Sequence, residues 1–250
     1  MTDPLVRRTD RNRVAIVELN RPERKNAIIA PMLDELAGHL DAASGDEGVG
    51  AVLLCGAGGS FCSGLDLTEY NADPPPSWLR GAADSIRAAH AALGRCPHPV
   101  VVALERYAIN AGAAFALAGD LIVAGHDAWL QVGEVRLGMS APMNLAWLVA
   151  RYPVATVLQI VLTGERIPGS ELRRLGIAHE LVDDPDVRAR AIALAEEIAS
   201  FPPGAAQRLK AATLQLASSA ADTTDPKWFE RSASLAPAAA PPPRHTDDAT

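Results

Sequence analysis

The chain has 250 residues, of which 48% are hydrophobic and 21% charged, a globular composition that excludes a largely disordered protein. The formal net charge is −7, which argues against nonspecific nucleic-acid binding but still allows a local basic cluster for an anionic small molecule. The three cysteines, an odd number without a framework spacing, favour reduced thiols and a cytoplasmic protein. Residues 1–12 lack the apolar core of a signal peptide, and no apolar run is long enough to predict a membrane span.

Strands and helices alternate through the first two-thirds of the chain. Apolar patterns predict strands at 13–20, 50–55, 99–104, 120–124, within 129–138 and within 175–183. Helical spacing predicts helices at 31–43, 78–95, 108–118, 142–151 and 154–162. Glycine-rich residues 56–67 predict a loop, and polar, proline-rich residues 70–77 predict a mobile connection. This order indicates an α/β fold with a parallel-type sheet covered by helices.

Helices dominate the rest of the chain. Amphipathic patterns predict helices at 186–200 and 204–221 and a shorter one at 227–235. Residues 236–250 are rich in Ala and Pro and then polar, which predicts a disordered tail. We therefore divide the chain into a core at 1–185, a C-terminal helical region at 186–235 and a tail at 236–250.

Several common functional motifs are absent from the sequence. It contains no phosphate-binding GxxxxGK[ST] loop, no GxGxxG, no GxSxG and no HExxH. The six histidines are scattered without metal-ligand spacing. The sequence therefore predicts neither a metal site nor a bound cofactor.

Two loops follow buried strands and could present main-chain donors. Gly64 allows a backbone shape that would leave the N–H of Leu65 unpaired. In the second loop a helix of small residues begins near Ala111, and the first N–H groups of a helix have no partner within it and lie at the positive end of its dipole. A carbonyl oxygen between two such donors would be stabilised as it gains negative charge. Taken alone, the spacing is equally typical of ordinary glycine turns beside sheet ends.

The sequence resembles the crotonase superfamily, the enoyl-CoA hydratase/isomerase family. The resemblance rests on an ordered set of segments: RPERKNA at 21–27, SFCSGLDL at 60–67, PVVVA at 99–103 leading to AINAG at 108–112, GEVRLG at 133–138, and LTGE at 162–165 followed by Leu175-Gly176. It covers about residues 12–185. It implies a spiral of ββα units, a helical C-terminal trimerisation region, and a homotrimer or dimer of trimers that binds acyl-CoA thioesters. Coenzyme A would enter as part of the substrate.

The resemblance also assigns catalytic positions. It gives the oxyanion-hole donors as the N–H groups of Leu65 and Ala111. Hydratases of the family use two glutamates, and here one of these positions is Ala114 while the other is Glu134. An apolar cleft around Glu134 would raise its pKa toward a useful acid/base value. Asp66 is the nearest alternative acid, although it is better suited to ordering its own loop.

The remaining site predictions concern binding of the thioester. Arg24 and Lys25 could meet the phosphates of coenzyme A, and exposed basic residues are otherwise usually only solvated. We expect substrate contacts also from Ala27, Asp66, Leu67, Gly112, Ser140 and Asn144. Ser140 and Asn144 could hydrogen-bond a polar acyl group or water. Two departures from the family pattern, Glu105-Arg106 and the stretch 139–144, should both lie near the acyl pocket.

One retained glutamate favours a reaction that needs one acid/base. Such a group can shift a double bond by removing a proton at C2 of a 3-enoyl thioester and returning it at C4, whereas hydration must also position and activate water. We therefore predict a cytoplasmic acyl-CoA-processing enzyme, of isomerase type, in fatty acid metabolism. Hydratase (lyase) activity is the close alternative. A non-catalytic acyl-CoA binder is another interpretation, because of Ala114, and a purely structural oligomerisation module is a further one.

Overall fold

The fold is that of a computed structural model, in which residues 3–217 are described. Within that range the chain forms two β-sheets. The larger sheet has the strand order β1 (Val6–Arg11), β2 (Val14–Leu19), β3 (Ala51–Gly56), β4 (Val100–Leu104), β6 (Leu121–Gly125) and β9 (Glu180–Val182). The smaller sheet has the order β5 (Tyr107–Ile109), β7 (Trp129–Gln131) and β8 (Arg166–Pro168).

Helices cover both faces of the larger sheet and connect the strands. They are α1 (Ala30–Ser44), α2 (Leu67–Tyr70), α3 (Ala82–Arg95), α4 (Ala111–Leu117), α5 (Pro142–Arg151), α6 (Val154–Thr163), α7 (Gly169–Arg174), α8 (Val187–Ser200) and α9 (Ala205–Ala217). Short 3-10 turns lie at Pro22–Arg24, Ala57–Gly59, Ser77–Gly81, Glu134–Leu137 and Asp184–Asp186. In the described part of the chain no helix is long and apolar enough to cross a membrane.

The larger sheet is parallel except at one edge. Strands β2, β3, β4, β6 and β9 pair in parallel, which confirms the parallel-type sheet predicted from the sequence. Strand β1 pairs antiparallel to β2 and was not predicted. The reason is its composition: in VRRTDR only Val6 is buried, so this edge strand lacks an apolar pattern.

The core lies on both faces of the central strands. Side chains alternate across a strand, so Leu54 of β3 packs on the face that α1 and α3 cover, while Leu53 packs on the face that α8 covers. Full burial of such an aliphatic side chain contributes roughly 1.5–3 kcal/mol. The first residues of the predicted C-terminal region, in α8, thus complete the core of the larger sheet.

Successive strands pass from one sheet to the other, as a spiral of ββα units requires. β4 is followed by β5 and then by α4, and β6 is followed by β7. The helix predicted at 108–118 is therefore wrong at its start, because residues 108 and 109 belong to β5. Asn110, with φ of 50°, separates that strand from α4.

Other predicted boundaries differ from the structure in smaller ways. The helix predicted at 78–95 is a 3-10 turn up to Gly81 and an α-helix from Ala82. The one predicted at 204–221 is α9, which is described only to Ala217. The helix predicted at 227–235 and the tail at 236–250 lie outside the described residues. The domain boundaries at 185 and 235 stay predictions.

Candidate active site

A cavity of about 450 Å³ opens between the loop after β3, helix α3, the start of α4 and the segment from the Glu134 turn into α5. Most of its surface is apolar. The lining residues are Ser63, Gly64, Leu65, Leu67, Ala83, Ile86, Arg87, Asn110, Ala111, Glu134, Leu137, Met139, Ser140, Ala141, Pro142, Met143 and Asn144. The three residues predicted as catalytic, Leu65, Ala111 and Glu134, therefore line one cavity although they lie on separate segments of the chain.

Backbone pairing on the opposite side leaves the amide of Leu65 free. Ile28 pairs with Leu65 in a parallel bridge, in which the Ile28 N–H donates to the Gly64 carbonyl at 2.8 Å. The Asp66 N–H donates to the Ile28 carbonyl at 3.0 Å. In such a parallel bridge, the residue between the two bonded positions, here Leu65, points its own N–H away from the partner segment. The Leu65 N–H has no hydrogen-bond acceptor within residues 3–217, so it is a free donor beside the cavity.

Gly64 holds the first loop against the second. Its φ is +95°, in the region that favours glycine. A Cβ at this position would come within 2.8 Å of the Ile109 carbonyl oxygen. The adjacent bridge between Cys62 and Ala108 fixes the same approach. The loop that carries Leu65 is thereby packed directly on the strand that leads into α4.

The amide of Ala111 is free because it is the first of α4. The carbonyl of Asn110 accepts hydrogen bonds from the Ala114 N–H at 3.2 Å and from Nδ2 of Asn144 at 3.1 Å. The N–H of Asn110 donates to the Gln131 carbonyl at 2.8 Å. The Ala111 N–H itself meets no acceptor in the described part of the chain, as expected for the first turn of a helix.

Glu134 supplies the carboxylate of the site. It begins the 3-10 turn after β7, and its Oε1 accepts a hydrogen bond from Nδ2 of Asn144 at 2.9 Å. Its Oε2 is buried and has no partner among the described residues. Burial raises the pKa of the Glu134 carboxyl above its ordinary value, and the hydrogen bond from Asn144 acts in the opposite direction. The predicted upward shift of this pKa is therefore present.

Glu134 is the sole acidic residue among the described residues that line the cavity. Ala114, at the position of the second family glutamate, is fully buried in α4.

Asp66 does not line the cavity. Its carboxylate accepts from the Glu69 N–H at 3.2 Å, which caps α2 and confirms that it orders its own loop. Hydrogen bonds from Arg24 are the main cause that lowers the pKa of Asp66. Its contact with a ligand stays a prediction.

The two residues predicted to meet coenzyme A phosphates lie on the exposed turn after β2, outside the cavity. Arg24 donates to both carboxylate oxygens of Asp66, at 3.1 and 2.8 Å. Lys25 is exposed, and its carbonyl accepts from the Ser63 N–H at 3.1 Å. Ala27 is buried, and its carbonyl accepts from Arg21 at 2.5 Å. Phosphate binding by these residues stays a prediction.

The other predicted binding residues fall into two groups. Leu67, Ser140 and Asn144 line the cavity. Gly112 does not line it and instead packs against Cys62. Leu67 and Ser140 are exposed at the mouth, whereas Asn144 is 1% exposed and belongs to the interior wall.

The expectation that Glu105 and Arg106 lie near the acyl pocket stays a prediction. Neither residue lines the cavity. The Glu105 carboxylate pairs at 3.1 Å with Arg188 of α8, which also binds Glu18 at 2.5 Å. Charge pairing with the helix behind the larger sheet thus turns the Glu105 side chain away from the cavity.

Sequence reasoning did not single out two cavity residues with polar side chains that matter for the geometry. Asn110 joins three segments: its Oδ1 accepts from the Gly133 N–H at 2.8 Å, in addition to its backbone bonds. Its position directly before a run of small helical residues was the available signal. Arg87 is the sole cation that lines the described cavity, and nothing in the sequence pattern of α3 indicated it.

A two-sheet spiral with two free main-chain amides and one carboxylate at a single apolar cavity defines a protein of the crotonase type. The family model described as enoyl-CoA hydratase/isomerase matches residues 9–231. The chain belongs to the enoyl-CoA hydratase/isomerase family.

Individual relatives agree with this assignment. The chain is 31% identical over 193 residues to the 1,2-epoxyphenylacetyl-CoA isomerase of Escherichia coli, covering 76% of this chain and 74% of the relative. It is 32% identical over 210 residues to the (E)-benzylidenesuccinyl-CoA hydratase of Thauera aromatica, covering 81% and 79%. Among solved structures, an enoyl-CoA hydratase from Mycobacterium tuberculosis H37Rv superposes with a TM-score of 0.79 at 31% identity, covering 93% of this chain and 89% of that one. The sequence resemblance and the fold it implied are confirmed.

Proposed function

We propose that this enzyme binds an acyl-CoA thioester and moves a proton within the acyl group, with Glu134 as the single acid/base. The preferred reaction is conversion of a 3-enoyl to a 2-enoyl thioester. The observation that carries the proposal is that Glu134 is the sole acid of the described cavity and shares it with the free amides of Leu65 and Ala111.

In this mechanism the two amides bind the thioester oxygen. Glu134 removes a proton from C2, and the electrons move into the carbonyl to give a dienolate whose oxygen carries the negative charge. The N–H groups of Leu65 and Ala111 stabilise that charge, and loss of one such donor costs about 3–4 kcal/mol of transition-state stabilisation. The same carboxyl group then returns its proton to C4. No second acid and no water molecule take part.

The electrostatics of Glu134 suit both halves of this cycle. The residue must be ionised to take the proton and neutral halfway through the reaction. Burial raises its pKa, which makes the carboxylate a stronger base than an exposed glutamate. The hydrogen bond from Asn144 favours the ionised form and partly offsets this increase in the pKa of Glu134.

Hydration of a 2-enoyl thioester is the second candidate, because relatives of comparable identity are named as hydratases. Water would have to be held and activated while C2 receives a proton. The residue at the second hydratase position is Ala114, so Glu134 would have to do both. A non-catalytic acyl-CoA binder is the third candidate, again because Ala114 stands at the second hydratase position.

Purified protein offered 2-enoyl-CoA and 3-enoyl-CoA separates the three candidates, with Glu134→Gln as the matched control. We expect wild type to convert 3-enoyl-CoA and Glu134→Gln to lose that activity while it still binds the thioester. Conversion of 2-enoyl-CoA to the 3-hydroxyacyl product would instead establish hydration. Thioester binding without turnover, unchanged in Glu134→Gln, would establish the binder and contradict the proposal.

We also propose that the chain works as a homotrimer or dimer of trimers in the cytoplasm, with Arg24 and Lys25 near the phosphates. Exposed apolar side chains on α5 and α6 support assembly: Val149, Val154, Leu158 and Leu162 are each between 47% and 66% exposed. Large exposed apolar patches are uncommon on monomers. Sedimentation velocity checks the assembly, and a monomer at micromolar concentration would contradict it.

A further inference from the structure

The Asn144 side chain bridges the two halves of the site. Asn144 is 1% exposed, and its Nδ2 donates to Oε1 of Glu134 at 2.9 Å and to the carbonyl of Asn110 at 3.1 Å. A neutral amide nitrogen has two hydrogens, so both are used. The orientation of the amide is fixed independently of Glu134, because the Asn110 carbonyl can only accept.

The Asn110 carbonyl and the Ala111 N–H belong to the same peptide unit. In a trans peptide these two groups point in opposite directions. A donor that holds the carbonyl therefore fixes the direction of the N–H on the other side of the plane. Donation to the carbonyl also polarises the peptide unit and strengthens its N–H as a donor, as in other hydrogen-bond chains.

We propose that Asn144 is a positioning residue that links the acid/base Glu134 to the oxyanion donor Ala111 through the Asn110 peptide. This inference rests on the proposed function. One side chain would hold Oε1 of Glu134, leave Oε2 as the atom that handles the proton, and aim the Ala111 N–H at the thioester oxygen. Asn144 would touch no reacting atom while it acts on both groups that do.

Few other charges face this network. Among the described residues that line the cavity, Glu134 is the sole acidic residue and Arg87 the sole cationic one. Arg87 lies on α3 and is bound to Asp84, which is exposed. A change in the pH dependence on substitution of Asn144 would therefore report on Glu134.

The test compares wild type with Asn144→Leu and Asn144→Asp. Leu is close in volume and removes both donated hydrogen bonds. We expect kcat for 3-enoyl-CoA isomerisation to fall about 10- to 100-fold, the range for loss of a hydrogen bond to a charged group, with a small change in KM. The acid limb of the kcat profile should move to higher pH, because a hydrogen bond that favours the carboxylate is gone. Asp should move it further, because a second negative charge lies beside Glu134.

A second readout needs no turnover. The infrared carbonyl band of a saturated acyl-CoA labelled with ¹³C at the thioester carbon should shift to lower frequency on binding to wild type. The shift should be smaller in both variants. If wild type shows no isomerisation, the proposed function fails, while the carbonyl band still tests the link to Ala111.

Asn20→Leu is the matched control. Asn20 is also buried, at 8% exposure, and donates to the Pro4 carbonyl at 2.7 Å, away from the cavity. It should lower stability without moving the acid limb or the carbonyl band. If Asn144→Leu does not fold, Asn144→Asp carries the test. The inference is overturned if a folded Asn144 variant keeps the wild-type acid limb and carbonyl band, whatever its stability.

Discussion

Gly112 packs against Cys62 with no room for a side chain between them. A Cβ on Gly112 would lie 2.7 Å from the Cys62 carbonyl oxygen, 2.8 Å from its Sγ and 2.9 Å from its Cβ. Gly112 directly follows Ala111, and Cys62 lies three residues before Leu65. This contact therefore fixes the spacing of the two loops that carry the free amides.

Gly112→Ala should reduce both stability and turnover. The added methyl group must push the start of α4 away from the first loop, and overpacking of this kind costs about 1–3 kcal/mol. Gly38→Ala is the control, because Gly38 lies inside α1 and a Cβ added there would meet no neighbouring atom within 4 Å. That change should stabilise by about 0.5–1 kcal/mol. Urea unfolding and kcat check both variants, and equal stability of Gly112→Ala and wild type would contradict the prediction.

Glu134→Gln should improve stability at neutral pH while it abolishes proton transfer. Because burial raises the folded pKa, the folded chain binds more protons than the unfolded one between about pH 4.3, the ordinary glutamate pKa, and the raised value. The free energy of unfolding of wild type therefore falls as pH rises through that window. Glutamine keeps an acceptor for Asn144 and does not titrate. Urea unfolding at pH 4 and pH 8 checks this, and a variant that loses stability relative to wild type as the pH rises would refute it.

The raised pKa of Glu134 should also appear in the pH dependence of kcat. The carboxylate of Glu134 must be ionised to remove a proton, so kcat should fall as pH falls through the folded pKa. That acid limb is expected above pH 4.3, the approximate value for an exposed glutamate. A rate profile that stays flat down to pH 4 would show that Glu134 is not the base.

Asp66→Ala should destabilise the turn and helix beside the cavity mouth. The buried carboxylate pairs with Arg21 at 3.2 Å and with Arg24 at 2.8 Å, and it caps α2. Arg21 keeps its ion pair with Glu69 at 2.7 Å, so the change removes charged hydrogen bonds without leaving a buried charge unpaired, and we expect a loss of about 1.5–3 kcal/mol in the free energy of unfolding. The pKa of Asp66 is lowered, so this stabilisation exists above about pH 4 and disappears as pH falls through the folded pKa.

The exposed pair of Asp84 and Arg87 supplies the comparison. Asp84→Ala removes a carboxylate from a solvated i,i+3 pair, where little stability is at stake. If urea unfolding gives the same loss for Asp66→Ala and Asp84→Ala, the buried network does not stabilise the loop.

His90→Gln should reduce the decrease in the free energy of unfolding that occurs as the pH falls. His90 is stacked on Phe115 and accepts a hydrogen bond from Trp147 at 3.0 Å, and burial lowers its pKa from 6.5 to about 4. Between those values the unfolded chain binds more protons, so the free energy of unfolding falls as pH falls, by about 3 kcal/mol in total. Glutamine retains an acceptor for Trp147 and does not titrate. Guanidinium unfolding at pH 7.5 and pH 4.5 should show a smaller difference for the variant, and an unchanged difference would refute the assignment.

The central sheet was predictable because its strands are apolar on both faces. Residues 50–55 and 99–104 are continuous apolar runs, and they form β3 and β4. The edge strand β1 was missed because its only buried side chain is Val6. The start of α4 was misplaced because the positive φ of Asn110 depends on tertiary hydrogen bonds to Gln131 and Gly133 that no local pattern records.

The candidate site was likewise predictable only in part. Family resemblance placed Leu65, Ala111 and Glu134, and the structure brings all three to one cavity. The contact between Asn144 and Glu134 could not be derived from the sequence, since it depends on the chain folding back after the Glu134 turn. The pairing of Glu105 with Arg188 could not be derived from the sequence either, because the two residues are 83 positions apart along the chain.

The free donors of Leu65 and Ala111 are part of the backbone, which has a consequence for mutagenesis. Replacing Leu65 by alanine, or Ala111 by any residue other than proline, leaves the amide hydrogen in place. An alanine scan would therefore test the proposed role of Glu134 and leave the proposed role of the two amides untested. Only a change that deletes the hydrogen itself, such as proline or an ester linkage introduced by semisynthesis, would expose it.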